Sequence, residues 1–168
     1  MFSVFIDNRL YLDFANGHYR VMAREHIPCG NLLLIDKGVK ATHDELISLF
    51  NNCFEFNQVV GNLYPRNNNL DDILNHNVFS DDVNETLYFN ISMLNHCCKP
   101  NAAIADIVYP CEKYFSYSAI YAVNDIPANS EVCIMYNTKA GHLDKGAFSW
   151  KCQCGLDYTT RRVFLTML

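Results

Sequence analysis

Seven residues, Asn95-His96-Cys97-Cys98-Lys99-Pro100-Asn101, constrain this chain more than any other stretch. Leu87, Ile91 and Leu94 precede them at helical spacing and predict a helix over 81–94 packed on the core. Pro100 fixes its own φ and biases Lys99 away from the helical region, so the helix has to end and the chain has to turn sharply. Asn95 and Asn101, at the two ends, can hydrogen-bond backbone groups and hold a loop in shape. Three readings are open for the segment alone. One is a Cys-His nucleophilic pair, disfavoured because adjacent residues rarely aim their side chains at each other. The others are metal ligation by a cysteine and a helix-ending turn without chemistry.

The surrounding pattern is one of many short strands. Apolar residues alternate in part over 2–14 and predict two strands around a turn at Asp7–Arg9. Residues 19–23 and 31–36 read as further strands, separated by the Ile27-Pro28-Cys29-Gly30 turn. Residues 102–109 and 114–123 read as a hairpin turning at Pro110–Lys113, and 131–136 as one more strand. A helix is expected over 43–56, where Thr42 and Glu45 form a capping-box pattern and Leu46, Leu49, Phe50 and Cys53 recur at helical spacing. The result is a mainly β fold with inserted helices, neither a doubly wound parallel sheet nor an all-α bundle. At 168 residues, half of them hydrophobic and 18% charged, the chain suits one packed domain.

A net charge of −5 argues against non-specific binding to a nucleic-acid backbone, which needs clustered Lys and Arg. A basic peptide is a more natural partner for such a surface. The opening MFSVFIDNRLYLDF lacks the pattern of a signal peptide, and no apolar run reaches membrane-spanning length. We therefore expect an intracellular protein, nuclear or cytoplasmic (in the host cell if the source is viral, which the compact form and frequent Asn would suit). In that setting the eight cysteines read as free thiols or metal ligands. Cys29, Cys53, Cys111 and Cys133, each isolated in sequence, read as small buried hydrophobes.

Two further phrases bear on the seven-residue segment. Residues 122–136 read Ala-Val-Asn-Asp-Ile-Pro-Ala-Asn-Ser-Glu-Val-Cys-Ile-Met-Tyr, and 21–30 form a similar phrase, Val-Met-Ala-Arg-Glu-His-Ile-Pro-Cys-Gly. In this order and at these separations, the three stretches resemble the SET family of protein-lysine methyltransferases. Asn95–Asn101 is similar to its NHSC-x-PN motif with Cys97 in place of Ser. Glu131–Tyr136 is similar to its E-L-x-x-x-Y motif with Val132 in place of Leu.

The resemblance implies a β-clip-like SET fold tied by a pseudoknot between the 95–101 and 131–136 segments. A SET domain would cover 1–140, with a variable insert at 38–86, and a cysteine-containing, post-SET-like tail would cover 141–168. It implies methyl transfer from S-adenosylmethionine to lysine in a protein or peptide, a histone tail being one candidate. Tyr136 would be catalytic. Met22, Ala23, Arg24, Asn95, His96, Tyr136 and Trp150 would contact the cofactor. Cys98, Cys152 and Cys154 match three of four family zinc positions, with Asp157 as the fourth ligand and His142 or Cys97 as other candidates. The chain also departs from the pattern where Arg20 replaces the usual second glycine, where Asn129-Ser130 replaces Gly-Glu, and in its incomplete cysteine tail. Arg20 and the incomplete tail motivate an alternative, a degenerate SET domain that binds a peptide or partner without catalysis. A structural zinc-binding module is a third reading. Asp44, Glu45, Asp71, Asp72, Asp81 and Asp82 give the insert an acidic character, either as solvated helix ends or as an attraction for a basic peptide.

Overall fold

The computed structural model describes residues 3–15, 18–60, 63, 70–80, 84–107 and 113–136. Its centre is the long strand β4 (Leu32–Ala41), buried on both faces over much of its length. It pairs along one edge with β9 (Phe115–Ala122), which pairs in turn with β8 (Ala102–Ile107). The other edge of β4 is shared. Its start pairs with β1 (Ser3–Ile6) and its end with β6 (Glu85–Leu87), which carries β5 (Val78–Ser80). All these pairs are antiparallel. Two small sheets complete the fold: the hairpin β2 (Leu10–Ala15)–β3 (His18–Ala23), and a parallel pair between β7 (Asn95–His96) and β10 (Cys133–Ile134).

The turn expected at Asp7–Arg9 is present. Leu10 N–H donates to the Asp7 carbonyl at 3.0 Å, and Asp7 accepts from the Arg9 backbone and guanidinium. The two strands that flank it do not pair with each other; one joins β4 and the other joins β3. The 102–123 hairpin is borne out, although its expected turn lies largely outside the described residues.

The capping box at Thr42 and Glu45 forms as expected and opens α1 (His43–Asn52). The expected helix over 43–56 is interrupted, however. Cys53 adopts extended backbone, and a separate helix α2 (Phe54–Val60) follows it. Asn51 and Asn52 are weak helix formers, and the break lets Phe56 and Val60 join Leu46 in one apolar cluster.

The helix expected over 81–94 is corrected in the same way. Residues 85–87 form β6, and Ile91–Met93 make a single 3-10 turn. Leu87, Ile91 and Leu94 are buried as their spacing suggests. Yet the free edge of β4 takes the backbone of 85–87, and the buried carboxylate of Asp36 draws in the next N–H groups. Asp36 accepts from Asn90 N at 2.8 Å, Ile91 N at 3.1 Å, Asn90 Nδ2 at 2.9 Å and Lys37 N at 3.1 Å. Tertiary hydrogen bonding overrides a periodicity that cannot by itself separate helix from strand.

Two apolar clusters result. One fills the space between β3, β4, β8, β9 and the 126–134 segment, with Ala23, Ile27, Leu94, Ile120, Ile126 and Ile134 nearly inaccessible. The other packs the helices of the insert, with α3 (Leu70–Asn77), against the far end of β4 and β6. No helix among the described residues is long and apolar enough to cross a membrane.

Candidate functional site

The two similar phrases face each other. Ile27 and Ile126 exchange both backbone hydrogen bonds at 2.9 Å. Gly30 N–H donates to Ala122 and Asn129 N–H to Ala23, while Ala122 N–H donates to Asn31 and Ala23 N–H to Ser130. The arrangement is reciprocal, residue for residue. Gly30 at φ 84 and Asn129 at φ 61 occupy equivalent left-handed turns. This explains why Asn can stand in a glycine position, since its short polar side chain tolerates that conformation better than most.

From this clamp, residues 131–136 run between β3 and the 95–101 loop. Glu131 bridges to Met22, and Val132 N–H donates to the Val21 carbonyl at 2.8 Å. On the other side Cys133 and Ile134 pair with Asn95 and His96, and Cys97 N–H donates to the Ile134 carbonyl. Asn101 reaches across from the loop. Its Nδ2 donates to the Glu131 carbonyl at 2.8 Å, and its Oδ1 accepts from Cys133 N at 2.9 Å. These contacts make the knot expected of the fold.

Asn95 sits at the crossing. Its Nδ2 donates to the Tyr19 carbonyl at 2.9 Å and to Glu131 Oε1 at 2.7 Å. Both partners are acceptors, which settles the orientation of the amide. Both amide hydrogens are thereby engaged, and Oδ1 is left as the acceptor for anything that approaches. His96 Nδ1 accepts from Tyr136 N–H at 3.0 Å, so a neutral ring carries its proton on Nε2, which lies 3.3 Å from Cys98 Sγ. The Tyr136 ring tilts against the His96 ring with centroids 5.4 Å apart. Its hydroxyl donates to the Leu94 carbonyl at 2.5 Å. A phenol, a backbone carbonyl and a histidine ring therefore meet where the two distant segments cross.

A SET domain family model matches residues 18–137, more than two-thirds of the chain. The chain belongs to the SET domain family. A SET domain-containing protein of Acanthamoeba polyphaga mimivirus, provisionally so named, is 24% identical over 184 residues. That match takes in 98% of this SET chain but only 55% of the relative's length. Among solved structures, a Plasmodium falciparum protein provisionally named a histone methyltransferase superposes with a TM-score of 0.53 at 20% identity. It covers 80% of this chain and 98% of its own. At that identity the shared feature is the fold.

Of the residues singled out from sequence, Met22, Ala23, Asn95, His96 and Tyr136 converge on the crossing. Met22 is buried, and the N–H and carbonyl of Ala23 are both used inside the protein. Arg24 is exposed, with its guanidinium 5.4 Å from the centre of the Tyr11 ring. Cys98 lies beside His96, whereas Trp150, Cys152, Cys154, Asp157 and His142 lie outside the described residues. Among the described residues no group of three or more His, Cys, Asp or Glu stands close enough to hold a metal ion. In the sequence Glu131 has no role beyond its motif, Leu94 none beyond core packing, and Asp36 does not stand out. The motif spacing placed Glu131 near the crossing, but nothing local signals that Asp36 holds the turn before Asn95.

Proposed function

We propose that this SET domain is a protein-lysine methyltransferase using S-adenosylmethionine, with Tyr136 at the reacting centre. The observation that carries the reading is the Tyr136 hydroxyl held against the Leu94 carbonyl, one residue from Asn95, at the knot. When bound, S-adenosylmethionine supplies an electrophilic methyl group on a sulfonium. The groups here suit such a ligand: Asn95 Oδ1 is an acceptor for its ammonium, and Arg20 has a donor nitrogen, Nε, without a partner among the described residues.

The chain's own contribution is positional. A lysine amine must arrive neutral, although free lysine titrates near ~10.4. A wall of half-buried Tyr136 and His96 beside buried Leu94 would exclude water and lower that value. The Tyr136 oxygen and the Leu94 carbonyl are acceptors that can orient an amine for in-line attack. Met22, Ala23, Arg24, His96 and Trp150 would frame the cofactor, Ala23 by shaping the wall because its own backbone groups are taken. The substrate would be a lysine-bearing protein or peptide, with a histone tail one candidate. We further assign a zinc ion to Cys98, Cys152, Cys154 and Asp157. Metal analysis of the purified protein should find zinc, and Cys98→Ser should lose it. The expected setting is intracellular, nuclear or cytoplasmic, in the host cell if the source is viral like that of the mimiviral relative.

Arg20 at the family's glycine position favours a second reading, a partner-binding domain without cofactor. Calorimetric titration with S-adenosylmethionine separates the two. Heat of binding with one-to-one stoichiometry supports the enzyme; no heat and no thermal shift support the binding module.

A further inference from the structure

Arg20 replaces a residue without a side chain, and the structure shows where the added guanidinium goes. In the β2–β3 ladder Asp13 opposes Arg20 and Tyr11 opposes Met22, so all four project from one face of the hairpin. Arg20 Nη2 donates to Asp13 Oδ2, which fixes the outer end of the side chain. Asp13 and then Glu131 and Tyr11 act on the guanidinium electrostatically and hold its pKa above the ordinary arginine value, the Asp13 hydrogen bond first among the causes. Glu131 is also the carboxylate that takes the Asn95 amide, and the carbonyl next in sequence to Arg20, that of Tyr19, takes the same amide. The arginine therefore belongs to the cluster at the knot.

This side chain is incompletely satisfied. It is about a third exposed, yet its Nε is covered by protein and has no acceptor among the described residues. A covered donor without a partner is uncommon and calls for an explanation. Release of the Asp13 hydrogen bond and a turn of the outer torsions would present Nε and the terminal nitrogens to an anion. The neighbouring carboxylates, Asp13 and Glu131, would repel a simple anion. They suit a zwitterion, whose carboxylate meets the guanidinium while its ammonium meets Asn95 Oδ1 or Glu131.

We propose that Arg20 binds the α-carboxylate of the cofactor's amino-acid moiety, replacing with a side chain the backbone approach that a glycine would permit. The assignment rests on the cofactor reading above. Its test is binding, measured by calorimetry on the full chain with S-adenosylmethionine and with decarboxylated S-adenosylmethionine, which keeps the sulfonium and ammonium and lacks only the carboxylate. The unaltered chain should prefer the carboxylated ligand by about 10- to 100-fold, the range for a hydrogen bond to a charged group. Arg20→Gln should abolish that preference while leaving affinity for the decarboxylated ligand within about twofold, which also shows that the site is intact. A preference that survives in Arg20→Gln, or none in the unaltered chain, overturns the assignment. Tighter binding by Arg20→Gly also overturns it, because the guanidinium would then be occupying the ligand's place. Failure of the unaltered chain to bind either ligand overturns the cofactor reading itself, and this inference falls with it.

Discussion

Replacing Asp36 should show that a buried carboxylate far from the motifs holds the knot loop in place. The side chain is fully buried and accepts four hydrogen bonds. Its Oδ2 takes the backbone N–H groups of Asn90 and Ile91, which open the turn leading to Leu94 and Asn95. Asp36→Ala strands these two donors, and Ile91 has no access to water. Each stranded donor costs about 1–3 kcal/mol. Part of that loss is offset because burial already disfavours the charged carboxylate, raising its pKa against the lowering effect of Asn90, Ile91 and Lys37. We expect Asp36→Ala to cost about 3 kcal/mol, a shift of roughly 1.5 M in the urea midpoint at a slope near 2 kcal/mol/M. Asp36→Asn can keep its oxygen on the two backbone donors, and a flip of the Asn90 amide then satisfies its new NH2 group, but Lys37 N–H loses the Oδ1 acceptor. It should cost about 1–2 kcal/mol, less than Asp36→Ala. The sign of the pH effect follows from the raised pKa. The wild type should gain on Asp36→Asn as pH falls towards ~4, and lose that gain as pH rises through the Asp36 pKa. Equal losses for the two variants, or a loss below about 0.5 kcal/mol for Asp36→Ala, would refute the reasoning.

A Cβ on Gly38 would lie 2.6 Å from Thr86 Cγ2 and 2.7 Å from the Tyr88 ring, so Gly38→Ala should destabilise by about 1–3 kcal/mol in urea titration. At the left-handed Asn129, replacement by Ala should cost about 1 kcal/mol, whereas Gly should be neutral or slightly stabilising by thermal melts. Asp7 has its pKa lowered chiefly by the Arg9 side chain, so its contribution is present above the unfolded value of ~3.9 and is lost as pH falls through the folded value. Asp7→Asn should therefore be less stable than wild type at pH 7 and converge with it in acid, as followed by urea midpoints from pH 7 to 2.

What could be read from the chain was local or repeated. Thr42 and Glu45 announced a helix start because a capping box involves only four consecutive residues. The three phrases announced the family. Asn129 stands where the family has glycine, and its φ of 61 is the left-handed conformation that Asn tolerates. What could not be read depends on partners distant in sequence. Leu87, Ile91 and Leu94 keep a helical rhythm, yet the edge of β4 and the carboxylate of Asp36, 54 residues from Asn90, decide their backbone. The 131–136 stretch was expected as one strand. It changes partners midway, from β3 at Glu131 and Val132 to β7 at Cys133 and Ile134, and no periodicity encodes such a change. At the site, the resemblance to the SET family marked Asn95, His96 and Tyr136. The hydrogen bond from Arg20 to Asp13 could not be read from either residue's place in the sequence.

The central claim is methyl transfer at the Tyr136–Leu94 corner. The most direct measurement is the mass of lysine-containing peptides incubated with the purified chain and S-adenosylmethionine. We expect increments of one methyl group on lysine, falling by at least about 100-fold in rate when Tyr136→Phe removes the hydroxyl, as for loss of a positioned polar group at a reacting centre. Methylation that proceeds undiminished in Tyr136→Phe, or its absence across a broad peptide library despite cofactor binding, would contradict the account.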